Sequence, residues 1–292
     1  MVLKSCGKLM ALVEGEEVHA VVVKFGFMNN TFVGSTLIDM YSSGARVKCA
    51  YRVFNEMVIR NVFTWTSMIN GYIANGDLAS ARMLFDLAPE RDVVLWNRMI
   101  TGYIECRDME EARKLFDVMP NKDLMSWNTL LNGYANNGDV EGCENLFEEM
   151  QERNIFSWNG LIGGYAHNGH FSKVIDAFKR MLNESDVQPN DATLVNILSA
   201  CTTLGALDLG KWVHVYAESN GYKHNVYVAN GLIDILIEVG DEVAEFYCFD
   251  ERHSKSKEIY GALRSLMKAL RSSGYVLDFM EVGQESPLFL VD

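Results

Sequence analysis

The sequence holds only 4 prolines in 292 residues, too few for a collagen-like chain or a proline-rich linker. It has no long apolar run. The best stretch, Val18 to Val23, falls far short of the roughly 20 residues that cross a bilayer, so no membrane partner is expected. Basic residues are few: 26 Lys and Arg stand against 39 Asp and Glu, a formal charge of −13. That balance excludes a protein that captures polyanions by bulk charge alone. The 6 cysteines (Cys6, Cys49, Cys106, Cys143, Cys201, Cys248) are scattered and never spaced C-x-x-C. They build neither a disulfide framework nor a zinc ribbon, and reduced thiols in a cytosolic or organellar compartment are the simplest reading. With 49% hydrophobic and 22% charged residues, the chain has the balance of a folded protein.

Catalytic signatures are scarce too. Gly205 to Lys211 reads G-A-L-D-L-G-K, the spacing of a phosphate loop, but Trp212 stands where Ser or Thr is needed and the context is helical. His167 and His170 flank a turn with no Cys or acid set to complete a metal site. No Ser/His/Asp or Cys/His arrangement rises above background, so neither enzymatic activity nor a cofactor is expected.

What the chain does have is repetition. Trp65, Trp96, Trp127 and Trp158 follow one another at intervals of 31 residues. Gly71-Tyr72, Gly102-Tyr103, Gly133-Tyr134 and Gly164-Tyr165 keep the same step, as do Phe85, Phe116, Phe147 and Phe178. Tyr41, Ala50 and Phe54 extend the match one step upstream. The expected units are 31–61, 62–92, 93–123 and 124–154, then a longer unit at 155–190, a variant at 191–225 and a partial unit at 226–241. Residues 1–30 read as the remainder of a long unit that has lost its start.

Each unit reads as two short helices. Trp65, Met68, Ile69, Tyr72 and Ile73 line one helical face, and Leu78, Ala81, Leu84 and Phe85 line a second. Between them, Gly76 closes one helix and Asp77 opens the next. A lone hairpin of this kind cannot bury its apolar faces. Stacked neighbours can, so the fold expected is an all-α solenoid of helix-turn-helix units.

Stretches such as VVLWNRMITGYIECRDMEEARKLFDVMPNKD, with a W-N-x-x-I/L-x-G-Y core, a Gly-Asp turn and an A-R-x-L-F segment, resemble the plant pentatricopeptide repeat family. The mixture of 31-, 35- and 36-residue units resembles its PLS subfamily. The resemblance implies a right-handed superhelix that binds single-stranded RNA, one base per repeat. The fifth residue of a unit lies one turn after the second, so both project from one face. The last residue precedes the next first helix, beside that fifth position. The resulting pairs are Ser35 with Asn61, Thr66 with Asp92, Asn97 with Asp123, Asn128 with Asn154, and Asn159 with Asn190. Phe32, Phe63, Val94, Met125 and Phe156, at the second positions, are expected to wedge between bases. The family's pairing rules then imply an RNA core A-G-U-Y-Y, where Y is a pyrimidine. Val195, at the fifth position of the next unit, cannot hydrogen-bond a base.

Asn and Asp before a helix are also good N-caps with or without RNA. Capping does not account for Ser, Thr or Asn at the fifth position, inside a helix, where such residues are mildly unfavourable. Residues 31–190 contain 15 Lys and Arg and 21 Asp and Glu, a net of −6. Positions where family members place a phosphate-contacting Lys hold Ser43, Ala74, Glu105, Asn136 and His167. Binding through base edges and stacking, with shallow salt dependence, is therefore expected.

Residues 242–278, with H-S-x-S-K-E-I-Y and G-Y-V-x-D, resemble the partial E-type extension of plant organellar RNA-editing factors. Their apolar stripe, Ile259, Leu263, Leu266, Met267 and Leu270, also suits a plain capping helix. The H-x-E and P-C-x-x-C pair of the DYW deaminase does not occur. The resemblance thus implies a site-recognition factor for C-to-U editing in a mitochondrion or chloroplast, recruiting a deaminase-bearing partner through this segment. An organellar RNA processing, splicing or stability factor is the alternative, and a protein-interaction scaffold a third reading. The N-terminus, with Glu14, Glu16 and Glu17, does not have the composition of a transit peptide.

Overall fold

The computed structural model describes residues 2–9 and 11–238. The extension expected at 242–278, the tail at 279–292 and the end of the partial unit lie outside the described residues. Among the described residues all regular structure is helical, and the chain forms two compact units, 1–168 and 169–292.

The first unit contains α1 (Val2–Leu9), α2 (Leu12–Lys24), α3 (Thr31–Ser43), α4 (Val47–Glu56), α5 (Val62–Ala74), α6 (Leu78–Leu87), α7 (Val93–Glu105), α8 (Met109–Val118), α9 (Leu124–Asn137), α10 (Val140–Glu149) and α11 (Ile155–His167). From α3 onward the odd-numbered helices open the repeats and pack on one another in order, and each even-numbered helix folds back on the one before it. The second unit contains α12 (Phe171–Glu184), α13 (Asp191–Leu204), α14 (Leu207–Ser219) and α15 (Val226–Glu238), with α13 packed against the other three.

The repeating residues set this arrangement. The turn after each first helix needs one residue with left-handed backbone. Gly76, Gly138 and Gly169 supply it at φ 76°, 81° and 75°, while Ala45 and Arg107 adopt it at 56° and 60°. Asp77, Asp108 and Asp139 then accept the backbone N–H three residues on, opening α6, α8 and α10. The glycines of the Gly-Tyr pairs let first helices approach closely. A Cβ on Gly133 would sit 2.7 Å from Ile104 Cδ1, and one on Gly164 would sit 2.9 Å from the Ala135 Cβ. The core between helices repeats as well: Ala50, Ala81 and Ala112, and Phe54, Phe85, Phe116 and Phe147, are all buried. Each buried Phe contributes roughly 1.5–3 kcal/mol of transfer free energy.

The tryptophans are packing residues. Each meets the preceding Phe edge-on, with interplanar angles of 64–83°. Phe54–Trp65, Phe85–Trp96, Phe116–Trp127 and Phe147–Trp158 have centroids 5.0, 4.8, 4.8 and 4.8 Å apart. In the second unit Trp212 meets Phe178 in the same way at 5.6 Å. The described cysteines are free, and burial pushes the Cys143 thiol up to about 12 and Cys201 to about 11, leaving both inert.

Candidate nucleic-acid interface

The face built by the first helices of unit one carries five exposed apolar side chains in register. Phe32, Phe63, Val94, Met125 and Phe156 are 78%, 75%, 63%, 67% and 66% exposed. All five sit at the second position of their helix, just inside an N-cap that fixes its start. A large apolar side chain held out of the core at one register, repeat after repeat, has no packing explanation and suits a surface that receives flat apolar partners.

One turn further along lie the fifth-position residues, more deeply set. Asn97 and Asn128 are buried, at 8% and 9% exposure, and Ser35, Thr66 and Asn159 are half-buried. The last-position residues meet them from the next helix start. Asn61, Asp92, Asp123, Asn154 and Asn190 all cap helices through Oδ1, accepting the backbone N–H of Thr64, Leu95, Ser126, Ser157 and Thr193. Capping takes one atom of each head group. The second atom on Asp92, Oδ2, makes no bond among the described residues.

Four of the five expected pairs lie within unit one, and their geometries differ. Asn128 Nδ2 donates to Asn154 Oδ1 at 3.3 Å. Ser35 reaches Asn61 through a bridge: its Oγ donates to Thr64 Oγ1 at 3.4 Å, which donates to Asn61 Oδ1 at 3.0 Å. Thr66 Oγ1 instead donates to its own helix at the Val62 carbonyl, 2.8 Å away, and makes no bond to Asp92. Asn97 stands beside Asp123. Burial pushes the Asp123 carboxyl up, but the Ser126 hydroxyl and backbone N–H, and then the Asn97 amide, outweigh it and hold the group below the usual carboxylate range. Asn97 nevertheless stays outside hydrogen-bonding geometry, and neither its Nδ2 nor its Oδ1 has a partner. Proximity explains its electrostatic influence on Asp123; the bond itself is not formed. The fifth pair, Asn159 with Asn190, has one member in each unit, and the two are described only separately: Asn159 on α11, Asn190 capping α13.

Two sets of contributing residues were not singled out by pattern reading. The first is the buried hydroxyl at the third position of a repeat. Thr64, Ser126 and Ser157 are 0% exposed, and each bonds the last-position residue of the repeat before it. The only signal in the sequence is their fixed spacing, three residues after the cap. The second is the basic residue just before the last position. Arg60, Arg91 and Arg153 lie 4.7, 5.1 and 4.6 Å over the buried rings of Phe54, Phe85 and Phe147, with Lys122 5.2 Å over Phe116. They also donate to the last carbonyls of the second helix, Arg91 Nε to Phe85 O at 2.7 Å for example. These cations brace the loop that carries the last-position residue.

Charge is segregated by helix. First helices α5, α9 and α11 contain no Lys, Arg, Asp or Glu, and α7 contains only Arg98 and Glu105. Arg98 is engaged, its Nε donating to Asn70 Oδ1 at 2.6 Å. The acidity falls on second helices such as α10, with Glu141, Glu144, Glu148 and Glu149. On the first-helix side of unit one the acids are Asp39 on α3, Glu105 on α7 and the N-caps Asp92 and Asp123, fewer than the second helices carry. No group of His, Cys, Asp and Glu among the described residues could hold a metal ion, and no described helix is long and apolar enough to cross a membrane.

Stacked helix-turn-helix repeats with polar residues set beneath an exposed apolar row define an all-α repeat solenoid. The PPR repeat family model matches residues 35–62, 63–93, 94–124, 125–155 and 156–185, more than half of the chain, and the chain belongs to the pentatricopeptide repeat family. Among curated relatives, the Arabidopsis thaliana pentatricopeptide repeat-containing protein At4g18840 is 32% identical over 36% of this chain and 19% of its own length. The Arabidopsis protein At3g26630, named chloroplastic, is 37% identical over 27% of this chain and 17% of its own. These matches span less than a fifth of either relative. Among solved structures, PPR10 from maize superposes with a TM-score of 0.66 at 16% identity, covering 94% of this chain and 39% of that one. PPR10 in complex with an 18-nucleotide psaJ RNA element gives a TM-score of 0.60 at 17% identity, covering 92% of this chain and 40% of that one. The likeness shows the fold: an all-α helix-turn-helix solenoid.

Proposed function

We propose that this protein binds single-stranded RNA sequence-specifically, one base per repeat. In this reading Phe32, Phe63, Val94, Met125 and Phe156 insert between bases. The pairs Ser35/Asn61, Thr66/Asp92, Asn97/Asp123, Asn128/Asn154 and Asn159/Asn190 read base edges, giving the core A-G-U-Y-Y. The observation that carries it is Asn97: an amide 8% exposed, with both polar atoms unpartnered, beside a carboxylate and one turn from an exposed apolar residue. Leaving such a group unsatisfied costs about 1–3 kcal/mol; both atoms are closed to solvent in the free protein, so a base edge satisfies them only when the side chain turns outward. The RNA complex of PPR10, similar in fold, supports the same reading.

The finer assignment follows the sequence. The mixed unit lengths favour the PLS subfamily, and residues 242–278 resemble a partial E-type extension. On that basis the protein serves as a site-recognition factor for C-to-U editing in a chloroplast or mitochondrion, with a deaminase supplied by a partner. The chloroplastic relatives support an organellar address. The test is binding to RNA containing A-G-U-Y-Y against the same RNA scrambled within the core. A preference of tenfold or more, about 1.4 kcal/mol, is expected; equal affinity overturns the reading and favours a protein-binding scaffold.

A further inference from the structure

We infer that Ser157 is a positioning residue that fixes the amide orientation of Asn128, and that the repeat at 124–154 consequently prefers cytosine to uracil. This rests on the RNA-reading function proposed above.

Ser157 is the third residue of the next repeat and is 0% exposed, so its hydroxyl must find partners within the protein. The Oγ accepts the Asn154 backbone N–H at 3.2 Å and donates to Asn128 Oδ1 at 2.7 Å, across 29 residues of chain. Asn154 Oδ1, 3.1 Å away, is its second and longer acceptor. On the other side of the amide, Asn128 Nδ2 donates to Asn154 Oδ1 at 3.3 Å. Asn154 Oδ1 is itself held as an acceptor by the backbone N–H groups of Phe156 and Ser157, at 3.0 and 3.1 Å. Turning the Asn128 amide over would set two carbonyl oxygens against each other and leave the serine proton without its short acceptor. One orientation is therefore selected.

That orientation decides what a base meets. Asn128 Oδ1 is occupied, while the second Nδ2 hydrogen of Asn128 and the Nδ2 group of Asn154 are unused among the described residues. The pair presents donors. Cytosine offers adjacent acceptors at O2 and N3; uracil offers O2 beside an N3–H, which would face another N–H. The contrast within the same chain is Asn97, where Ser126 bonds Asp123 and leaves the Asn97 amide unpartnered, and where the Asp123 carboxylate can accept a uracil N3–H. At the Thr66/Asp92 pair the third-position residue is Leu95, and no hydroxyl is present to orient anything.

The test uses the full chain and synthetic single-stranded RNAs that contain A-G-U-C-Y or A-G-U-U-Y in identical flanks, with affinity read by fluorescence anisotropy. The unsubstituted protein should favour cytosine at the fourth nucleotide by about fivefold, the worth of one net hydrogen bond. Ser157→Ala should bring that ratio close to one and leave the preferences for A, G and U at the first three nucleotides in place. Ser157→Thr, which keeps the hydroxyl, should retain the ratio. A Ser157→Ala protein that still reads the first three bases and keeps the full cytosine preference overturns the inference alone. A parent chain that does not tell the core from its scramble overturns both the inference and the RNA-reading function. Should the alanine variant fail to fold, the parent chain is titrated with 3-deazacytidine at the fourth nucleotide, which has a C–H in place of N3. It should bind as weakly as uracil, and binding equal to cytosine overturns the inference.

Discussion

Asn128 Nδ2 lies 3.3 Å from Asn154 Oδ1, a bond between residues 26 apart in the chain that joins the fifth position of one repeat to its last. The contact places two side chains from different helix starts at one point, which helix propensity alone gives no reason to do. The same Asn154 oxygen caps α11. Helix initiation and the candidate reading pair are thus held by one atom, and the backbone register of each repeat sets where its polar pair stands.

Because capping uses Oδ1, conservative changes at the last position separate reading from folding. Asp92→Asn keeps an Oδ1 acceptor for the Leu95 N–H, now 2.8 Å away, but turns the second head-group atom from acceptor to donor. The melting temperature should move little. The base preference at the second nucleotide should shift from G to A, by the roughly 1–3 kcal/mol typical of a base-edge contact, with the other positions unchanged. Anisotropy titrations on RNAs differing at that nucleotide check this, and an unchanged G preference refutes the pairing. Asp92→Ala, which loses the cap, should cost about 1 kcal/mol of stability as well.

Much of this was legible before any coordinates. The 31-residue step in Trp, Gly-Tyr and Phe fixes helix number and stacking, because each type has one packing role per repeat. Phe32 and Phe63 are legible through the family resemblance, which sets an apolar side chain at the second position of each repeat. Three things were hidden. Ser157 reads locally as half of a capping box, and its bond to Asn128 crosses 29 residues. Arg91 and Arg153 carry no local signal for their place over the buried Phe rings. Net charge averaged over a repeat conceals that α5, α9 and α11 contain no Lys, Arg, Asp or Glu while second helices such as α10 are acidic. Each missing element depends on a long-range contact that local pattern does not encode.

Arg107 carries a left-handed turn, φ 60°, at the position where Gly76 and Gly138 stand in neighbouring repeats. A side chain costs about 1–2 kcal/mol in that conformation. Arg107→Gly should therefore stabilise the protein by about 1 kcal/mol, less the flexibility glycine adds to the unfolded chain. The opposite is expected of Gly164→Ala, whose new Cβ would meet the Ala135 Cβ at 2.9 Å, costing about 1–3 kcal/mol through overpacking. Urea denaturation followed by far-UV circular dichroism measures both, and a loss of stability in Arg107→Gly would contradict the turn argument.

The Asp123 carboxyl is held below its ordinary value by Ser126 and Asn97 against an opposing push from burial. A depressed folded pKa stabilises the protein above the unfolded carboxyl value of about 3.9, and that stabilisation disappears as pH falls through the lower folded value. The advantage of the parent chain over Asp123→Asn should be full near neutral pH and shrink below about pH 4. Denaturation midpoints collected down the acid limb test this; a constant gap between the two proteins means Asp123 does not contribute in its charged form.

Salt dependence follows from the charge map. With α5, α9 and α11 free of Lys, Arg, Asp and Glu and Arg98 engaged by Asn70, few phosphates are neutralised on the first-helix face. Single-stranded RNA contributes a slope of about −0.7 per phosphate neutralised. A plot of log affinity against log salt should thus fall with a slope no steeper than about −1.5, the value for two contacts. A slope of about −4 or steeper would require six or so phosphate contacts, and basic residues outside the first-helix face would then have to supply the binding energy.

Phe63 offers the cleanest separation between folding and binding. Its side chain is 75% exposed, so Phe63→Ala removes little buried area and should leave the melting temperature within the range of ordinary surface substitutions, about 0.5 kcal/mol. If the ring stacks on a base, its loss should cost about 1–3 kcal/mol of RNA affinity, or roughly tenfold per 1.4 kcal/mol. Val94→Ala, at the same register but with a small side chain, should cost much less because only a methyl-sized contact disappears. Phe63→Leu should fall between the two, keeping apolar contact and losing the aromatic face. Equal RNA affinity across all three variants would mean that the exposed row serves another partner, since no rearrangement of the fold would be available to mask the loss.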